Sequence, residues 1–300
     1  DARASFSVVD TFLEYEEAKQ FQKKYPTATD IAIYLEGHIR HKGVHAAAMV
    51  VAERDISSYI PIAKVGGEIV TEWEKFPIED QKLIKFDILS LKTLTVIQDC
   101  LKSASIELPN TFDDPAVYKS GFETGETLGV FQFETVGLSK LCMAMKPDTF
   151  NLLYDATTLF RPGALHSGQT MLYVARRTGK EPVKYEHPLM EELTSQTKGI
   201  IMYQEQVMQV MNRIGGMSWA TAEMARKSIT KSKGSKAFDS IRGEFVKNAQ
   251  VLHKMSQEEA EKLFDVVSTF GSYGFNKAHA VEYSMISYWC AWLKTHYPIH

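Results

Sequence analysis

Lys85-Phe86-Asp87-Ile88-Leu89-Ser90-Leu91 is the stretch on which the reading of this chain turns. Its alternation predicts a strand, with Ile84, Phe86 and Ile88 on one face and Lys85 and Asp87 on the other, because strand side chains alternate with period two. An ammonium and a carboxylate between apolar neighbours need partners wherever the sheet packs on a core. A structural ion pair or an edge strand meets that need. So does a site where Asp87 ligates a hard divalent cation and Lys85 meets a phosphate, the two groups that nucleotidyl transfer requires side by side.

Upstream, the small-residue apolar run Ala46 to Val51 suits a buried strand. Ile60 to Val65 and Glu68 to Trp73 flank Gly66-Gly67, a two-residue hairpin signal. Val8 to Glu36 is helical in pattern and rich in charge, with a break at Pro26 and Thr27 to Asp30. Downstream of Thr93 the chain reads as almost wholly helical. Asp114-Pro115 is a capping carboxylate followed by proline at the first helical position. Val207, Val210, Met211 and Ile214 fall at helical spacing and end on Gly215-Gly216. Ser256 to Glu259 is a capping box with Ala260, Leu263, Phe264 and Val267 as the stripe behind it, and Ala278 to Lys294 is a last long helix. The expected class is α+β, a small mixed sheet followed by a large, mainly α-helical region.

With 44% apolar and 24% charged residues the chain is globular with an ample core, and 300 residues make one large domain or two ordinary ones. Its net charge of -3 confines any nucleic-acid role to a local patch. Cys100, Cys142 and Cys290 are odd in number and scattered, which argues against a disulfide framework or zinc site and fits a reducing cytoplasm. No long apolar span points to a membrane. The chain opens at Asp1 and stops after a helical stretch at His300, so both ends read as cuts within a longer protein.

Arg226 to Lys247 is the strongest electrostatic signal, with Arg226, Lys227, Lys231, Lys233, Lys236, Arg242 and Lys247 against Asp239 and Glu244, a local excess of five positive charges. A solvated helix face is one reading. A phosphate-binding segment is the better one, because clustered cations repel unless a polyanion joins them. Gly271 to Ala280 brings glycines, Asn276, Lys277 and His279 to a helix start, where exposed amides suit an anion. His38, His41 and His45 do not share a helical face, since Gly43 interrupts them, and read as polar or phosphate-contacting rather than as a metal site.

Lys85 to Thr95 closely resembles a signature stretch of the C-family polymerases, the alpha subunits of bacterial replicative DNA polymerase III. Further stretches match the same family in order: Gly129 to Glu134, Leu159-Phe160-Arg161-Pro162-Gly163, Thr197 to Val207, the Arg226-Lys227 segment and Gly271 to Ala280. The resemblance implies a shortened helical thumb over 1–38, the C-terminal part of the palm over 39–95 and helical fingers over 96–300. It implies template-directed DNA synthesis by a two-metal mechanism, with two Mg²⁺ ions and Asp87 as the one metal ligand from this chain. Lys85 would lie beside the primer terminus. Arg161, Arg226, Lys227, Asn276, Lys277 and His279 would meet the nucleotide, and Arg40, His45, Lys231, Lys233 and Lys236 the DNA. Implied partners are primer-template DNA, a deoxynucleoside triphosphate, the upstream palm segment and other replicase subunits.

The chain departs from the family at several points. The family's other two catalytic aspartates sit in a Pro-Asp-Ile-Asp type motif that these residues do not contain. Lys227 stands in place of a second arginine, keeping the charge without the bidentate fork, and Ala278 in place of a serine. Because one carboxylate cannot hold two Mg²⁺, the alternative is a non-catalytic DNA- or nucleotide-binding piece of a split or truncated polymerase.

Overall fold

A computed structural model describes residues 7–38, 43–231 and 236–300, without the side chains of 230, 231, 236 and 237. Arg40, His41 and Lys233 lie outside the described residues, as do the side chains of Lys231 and Lys236. The chain divides into two compact units, residues 1–90 and 91–300.

The first unit holds α1 (Val8–Glu14), α2 (Glu16–Lys24), α3 (Pro26–Leu35), β1 (Ala48–Val51), β2 (Ile62–Val65), β3 (Glu68–Thr71), α4 (Lys75–Asp80) and β4 (Ile84–Asp87). Ser7 and Asp10 form a reciprocal capping box at the start of α1. Thr27 to Asp30 is helical rather than a break, because Pro26 takes the first position of α3, where its missing N–H costs no hydrogen bond.

The α+β class holds, but the described strands do not join into one mixed sheet. They form two antiparallel ribbons, β1 with β4 and β2 with β3. Gly66 and Gly67 both have positive φ, +61° and +97°, so the two-residue turn has the twist that antiparallel strands need.

The alternation of the organising strand holds, and the face that turns inward is the one carrying Lys85. Ile84, Phe86 and Ile88 are exposed, whereas the Lys85 side chain is only 18% exposed. Leu83 is buried in the small core with Ile60 and Ile78, and Lys85 shares its face. Register pairs Val50 with Lys85, Met49 with Phe86 and Val51 with Ile84. One side of the ribbon is therefore an exposed apolar strip of Met49, Val51, Ile84 and Phe86. A lysine tolerates the inner face because its stem is apolar while its head reaches a partner.

The second unit comprises α5 (Lys92–Ala104), α6 (Pro115–Val117), α7 (Val136–Met145), α8 (Phe150–Leu159), α9 (Pro162–His166), α10 (Gln169–Arg177), α11 (Pro188–Thr194), α12 (Gln204–Arg213), α13 (Trp219–Lys231), α14 (Lys236–His253), α15 (Gln257–Gly271) and α16 (Lys277–His296). Two apolar clusters fill it. One gathers Tyr118, Phe122, Phe133, Leu153, Tyr173, Tyr203 and Tyr288 around α8 and α16. The other closes α12, α13, α14 and α15 on one another, and in it Val207, Val210, Met211, Ile214, Ala260, Leu263, Phe264 and Val267 are all fully buried. These are the positions the helical stripes selected. Asp114 caps the short α6 through Ala116 N at 2.8 Å, and the Ser256–Glu259 capping box starts α15. Cys100, Cys142 and Cys290 are buried thiols with no disulfide. No described helix is long and apolar enough to cross a membrane.

Candidate functional site

In the first unit, Lys85 and Asp87 are two residues apart on β4, so their side chains leave the same face. Lys85 Nζ donates to Asp87 Oδ1, and His45 Nδ1 lies 3.8 Å from the same oxygen. The hydrogen bond from Lys85 is the main cause that holds the Asp87 carboxyl below the usual carboxylate range, so it is ionised at neutral pH. Its side chain is 48% exposed. This is one open, anionic oxygen ligand of the kind Mg²⁺ takes, and no group of three His, Cys, Asp or Glu able to hold a metal occurs among the described residues. His45 thus sits against the Asp87 carboxylate.

In the second unit the nucleotide candidates gather where the loop before α16 meets the start of α12. Phe275 N donates to Met202 O and Gln204 N to Phe275 O, each at 2.9 Å, which makes a short parallel bridge across Tyr203. Arg161 stacks on the Phe275 ring, 3.9 Å from its centroid. Gly163 makes room for this loop, since a Cβ there would meet the Tyr273 ring at 2.2 Å. Lys277 Nζ faces the rings of Tyr203 and Tyr154 at 5.5 and 5.7 Å and makes no ion pair among the described residues. His279 is exposed, stacks on Tyr283 at 4.0 Å and touches Phe275 edgewise. Arg161, Asn276, Lys277 and His279 therefore surround one feature, the Tyr203–Phe275 bridge.

The amides at the start of α16 are not the open donors expected from the sequence. Glu205 takes the Lys277 N–H on both carboxylate oxygens, at 3.0 and 3.1 Å, and Asn276 Oδ1 takes the His279 N–H at 2.8 Å. A helix start whose amides are filled by side chains has lost much of its appeal to an anion. Asn276 is first a helix cap, and its amide nitrogen keeps donor capacity.

Arg226 and Lys227 share one carboxylate on α13. Glu223 accepts from Arg226 Nε and Nη2, both at 2.7 Å, and lies 3.3 Å from Lys227 Nζ. Hydrogen bonding to Arg226 is the largest effect that holds the Glu223 carboxyl down to about 2. Arg226 also feels Glu205, which links α13 electrostatically to the α16 start. Further along, Arg242 pairs with Glu261 and Asp265 of α15. The basic segment is thus less unopposed than its local sequence suggests, because acids from a neighbouring helix answer it.

Sequence reasoning passed over Tyr203, Asp155, Glu205 and Glu223. Two of them left a signal. Glu223 precedes Arg226 and Lys227 by three and four residues, the spacing at which helical side chains meet. Asp155 is a lone acid in the apolar run of α8 and therefore had to be buried with partners. A polar cavity of about 320 Å³ beside Tyr203 and Lys277 is lined also by Glu192, Gln196, Glu205 and Gln209.

Residues 90–253 match the bacterial DNA polymerase III alpha subunit finger domain, and residues 4–90 the bacterial DNA polymerase III alpha NTPase domain. The DNA polymerase III subunit alpha of Aquifex aeolicus is 38% identical over 279 residues, covering 90% of this chain and 24% of that protein. That of Pseudomonas aeruginosa is 35% identical over 312 residues, covering 97% and 26%, and that of Helicobacter pylori 38% over 279, covering 89% and 23%. The chain spans about a quarter of the length of these curated relatives.

Proposed function

We propose, because the chain belongs to the bacterial DNA polymerase III alpha-subunit family, that it supplies the end of the palm and most of the fingers for template-directed DNA synthesis. The reaction transfers a deoxynucleoside monophosphate to a primer 3′-hydroxyl. The observation that carries this reading is the gathering of Arg161, Lys277 and His279 at the Tyr203–Phe275 bridge, with Lys277 outside any ion pair among the described residues. Cations held by aromatic faces keep their charge for a triphosphate. Asp87, open and ionised, is the residue that would hold a metal. Bound Mg²⁺ would supply Lewis acidity toward the phosphate and the attacking hydroxyl. Lys85 holds Asp87 in place, and with a metal on Asp87 its ammonium would be free to meet the primer end. Arg226 and Lys227 leave Glu223 for the phosphates, while Arg40, His45, Lys231, Lys233 and Lys236 contact primer-template DNA. The further carboxylates, the remaining palm and the other replicase subunits come from outside these residues, and the site of action is the cytoplasm.

The test uses a polymerase that carries this sequence with the paired palm aspartates supplied in cis or in trans. Asp87→Asn keeps the shape and removes the charge, so primer extension falls by on the order of 10³-fold while primer-template affinity stays within about twofold. Extension near the parental rate removes Asp87 from the metal site and overturns the reading.

A further inference from the structure

Asp155 is the most buried acid near the nucleotide candidates, 3% exposed on α8, and nothing in the reaction described above uses it. Its two oxygens are divided between two phenols: Tyr173 Oη donates to Oδ2 at 2.6 Å and Tyr203 Oη to Oδ1 at 2.5 Å. Tyr203 and the neighbouring Tyr154 then present their rings to the Lys277 ammonium. A phenol that donates to a carboxylate has a more electron-rich ring, so the hydrogen bond strengthens the pull of that ring on a cation. The Asp155 charge also reaches Lys277 directly, and Lys277 in turn favours its ionised form.

We propose that Asp155 is a positioning residue for the nucleotide site, which locks the Tyr203 ring as the platform that sets the reach of the Lys277 ammonium. The contrast with α13 shows why such an arrangement is useful. Glu223 neutralises Arg226 and Lys227 at the surface, where a triphosphate must displace it. The Asp155 carboxylate that acts on Lys277 is held by the hydroxyl of the Tyr203 ring the ammonium faces, while Glu205 is engaged by the Lys277 backbone N–H. Tyr203 also carries the backbone bridge to Phe275, on which Arg161 stacks, so the same anchor steadies the second cation.

This inference rests on the nucleotide site proposed above, and the test separates the two. Nucleotide KM and kcat are measured for the same completed polymerase with Lys277→Ala, Asp155→Ala, Asp155→Asn, Tyr203→Phe, Tyr173→Phe, and each of Asp155→Ala and Tyr203→Phe combined with Lys277→Ala. Asp155→Ala and Tyr203→Phe are each expected to raise the nucleotide KM roughly 3- to 30-fold with little change in kcat. Asp155→Asn, which keeps one acceptor oxygen, falls between parent and alanine. Tyr173→Phe lowers thermal stability and leaves KM within about twofold. Both double variants are no worse than Lys277→Ala alone, because Asp155 and Tyr203 act through Lys277. Tyr203→Phe keeps the ring in the core and reports even where Asp155→Ala does not fold. Multiplying effects in the Tyr203→Phe and Lys277→Ala pair, or a parental KM for Tyr203→Phe, overturn the positioning role. A parental KM for Lys277→Ala instead sinks the nucleotide site itself.

Discussion

In residues 1–90 the carboxylate that matters is Asp87, about half exposed, hydrogen-bonded to a lysine and held below the usual acid range. In residues 91–300 it is Asp155, enclosed by two tyrosines and pushed up to about 6, chiefly by burial. The surroundings of the two acids differ in the same way. The β1–β4 ribbon is two strands wide and leaves Met49, Val51, Ile84 and Phe86 in solvent, and among the described residues its core is Ile60, Ile78 and Leu83. In the helical unit the described helices α5 to α16 close over two aromatic and aliphatic clusters. A two-stranded ribbon cannot bury both faces, so a charge on it stays wet and takes its properties from the next side chain. In the helical unit desolvation dominates, and an acid survives there only with its hydrogen bonds complete.

The contrast is broken most directly in the core of the second unit. Phe264 is fully buried against Phe238 and Phe245, and Phe264→Ala is expected to cost about 3–5 kcal/mol in chemical denaturation followed by tryptophan fluorescence. A cost below about 1 kcal/mol would mean that α14 and α15 are no better packed than the ribbon.

The next effect is smaller and depends on pH. The folded pKa of Asp155 lies above its unfolded value, so the native state binds the extra proton between about pH 4 and 6. This acid's contribution to stability therefore falls as pH rises through that window, by on the order of 2–3 kcal/mol, and the deficit is complete above it. Lys277 and Lys198 face it, and burial together with the Asp155 charge pushes both phenols up, so Tyr173 and Tyr203 stay protonated. Asp155→Asn is expected to gain stability relative to the parent from pH 4 to 6.5 and to level off above. Asp87 has the opposite sign, a contribution present above the ordinary carboxylate range and lost as pH falls. A difference that falls as pH rises would place Asp155 in the same class as Asp87, and a pH-independent one would mean that burial does not shift this acid.

The smallest effect sharpens the other side of the comparison. Phe86 is 50% exposed in the apolar strip, so Phe86→Ser should leave unfolding within about 0.5 kcal/mol of the parent. A loss above about 1.5 kcal/mol would show that the strip is covered.

The helical unit was the more legible of the two. Val207, Val210, Met211 and Ile214 announce a buried stripe, and Ser256 and Glu259 announce a helix start, because periodicity and capping involve residues three or four positions apart. The Gly66-Gly67 turn is local in the same sense. The strand of Lys85 and Asp87 was equally visible, and its two faces alternate as read, but the sequence did not say which of them turns inward. Alternation shows which residues share a face and is silent on which face meets a core, and here the inner one carries Leu83 and Lys85.

The chemistry divides along the same line. Arg161, Arg226, Lys227 and Lys277 are candidates that the family resemblance singles out, and a guanidinium or an ammonium is suited to phosphate. Their restraints could not be named so easily. Lys277 lies 74 residues from Tyr203, Arg161 lies 114 from Phe275, and Arg242 meets Glu261 and Asp265 from the next helix. Such pairs carry no periodic signal, because only the packing of one helix on another brings them together. A buried carboxylate between two phenols, with a lysine over the aromatic faces in front of it, is for the same reason a product of tertiary structure: each residue is ordinary until desolvation couples it to the others.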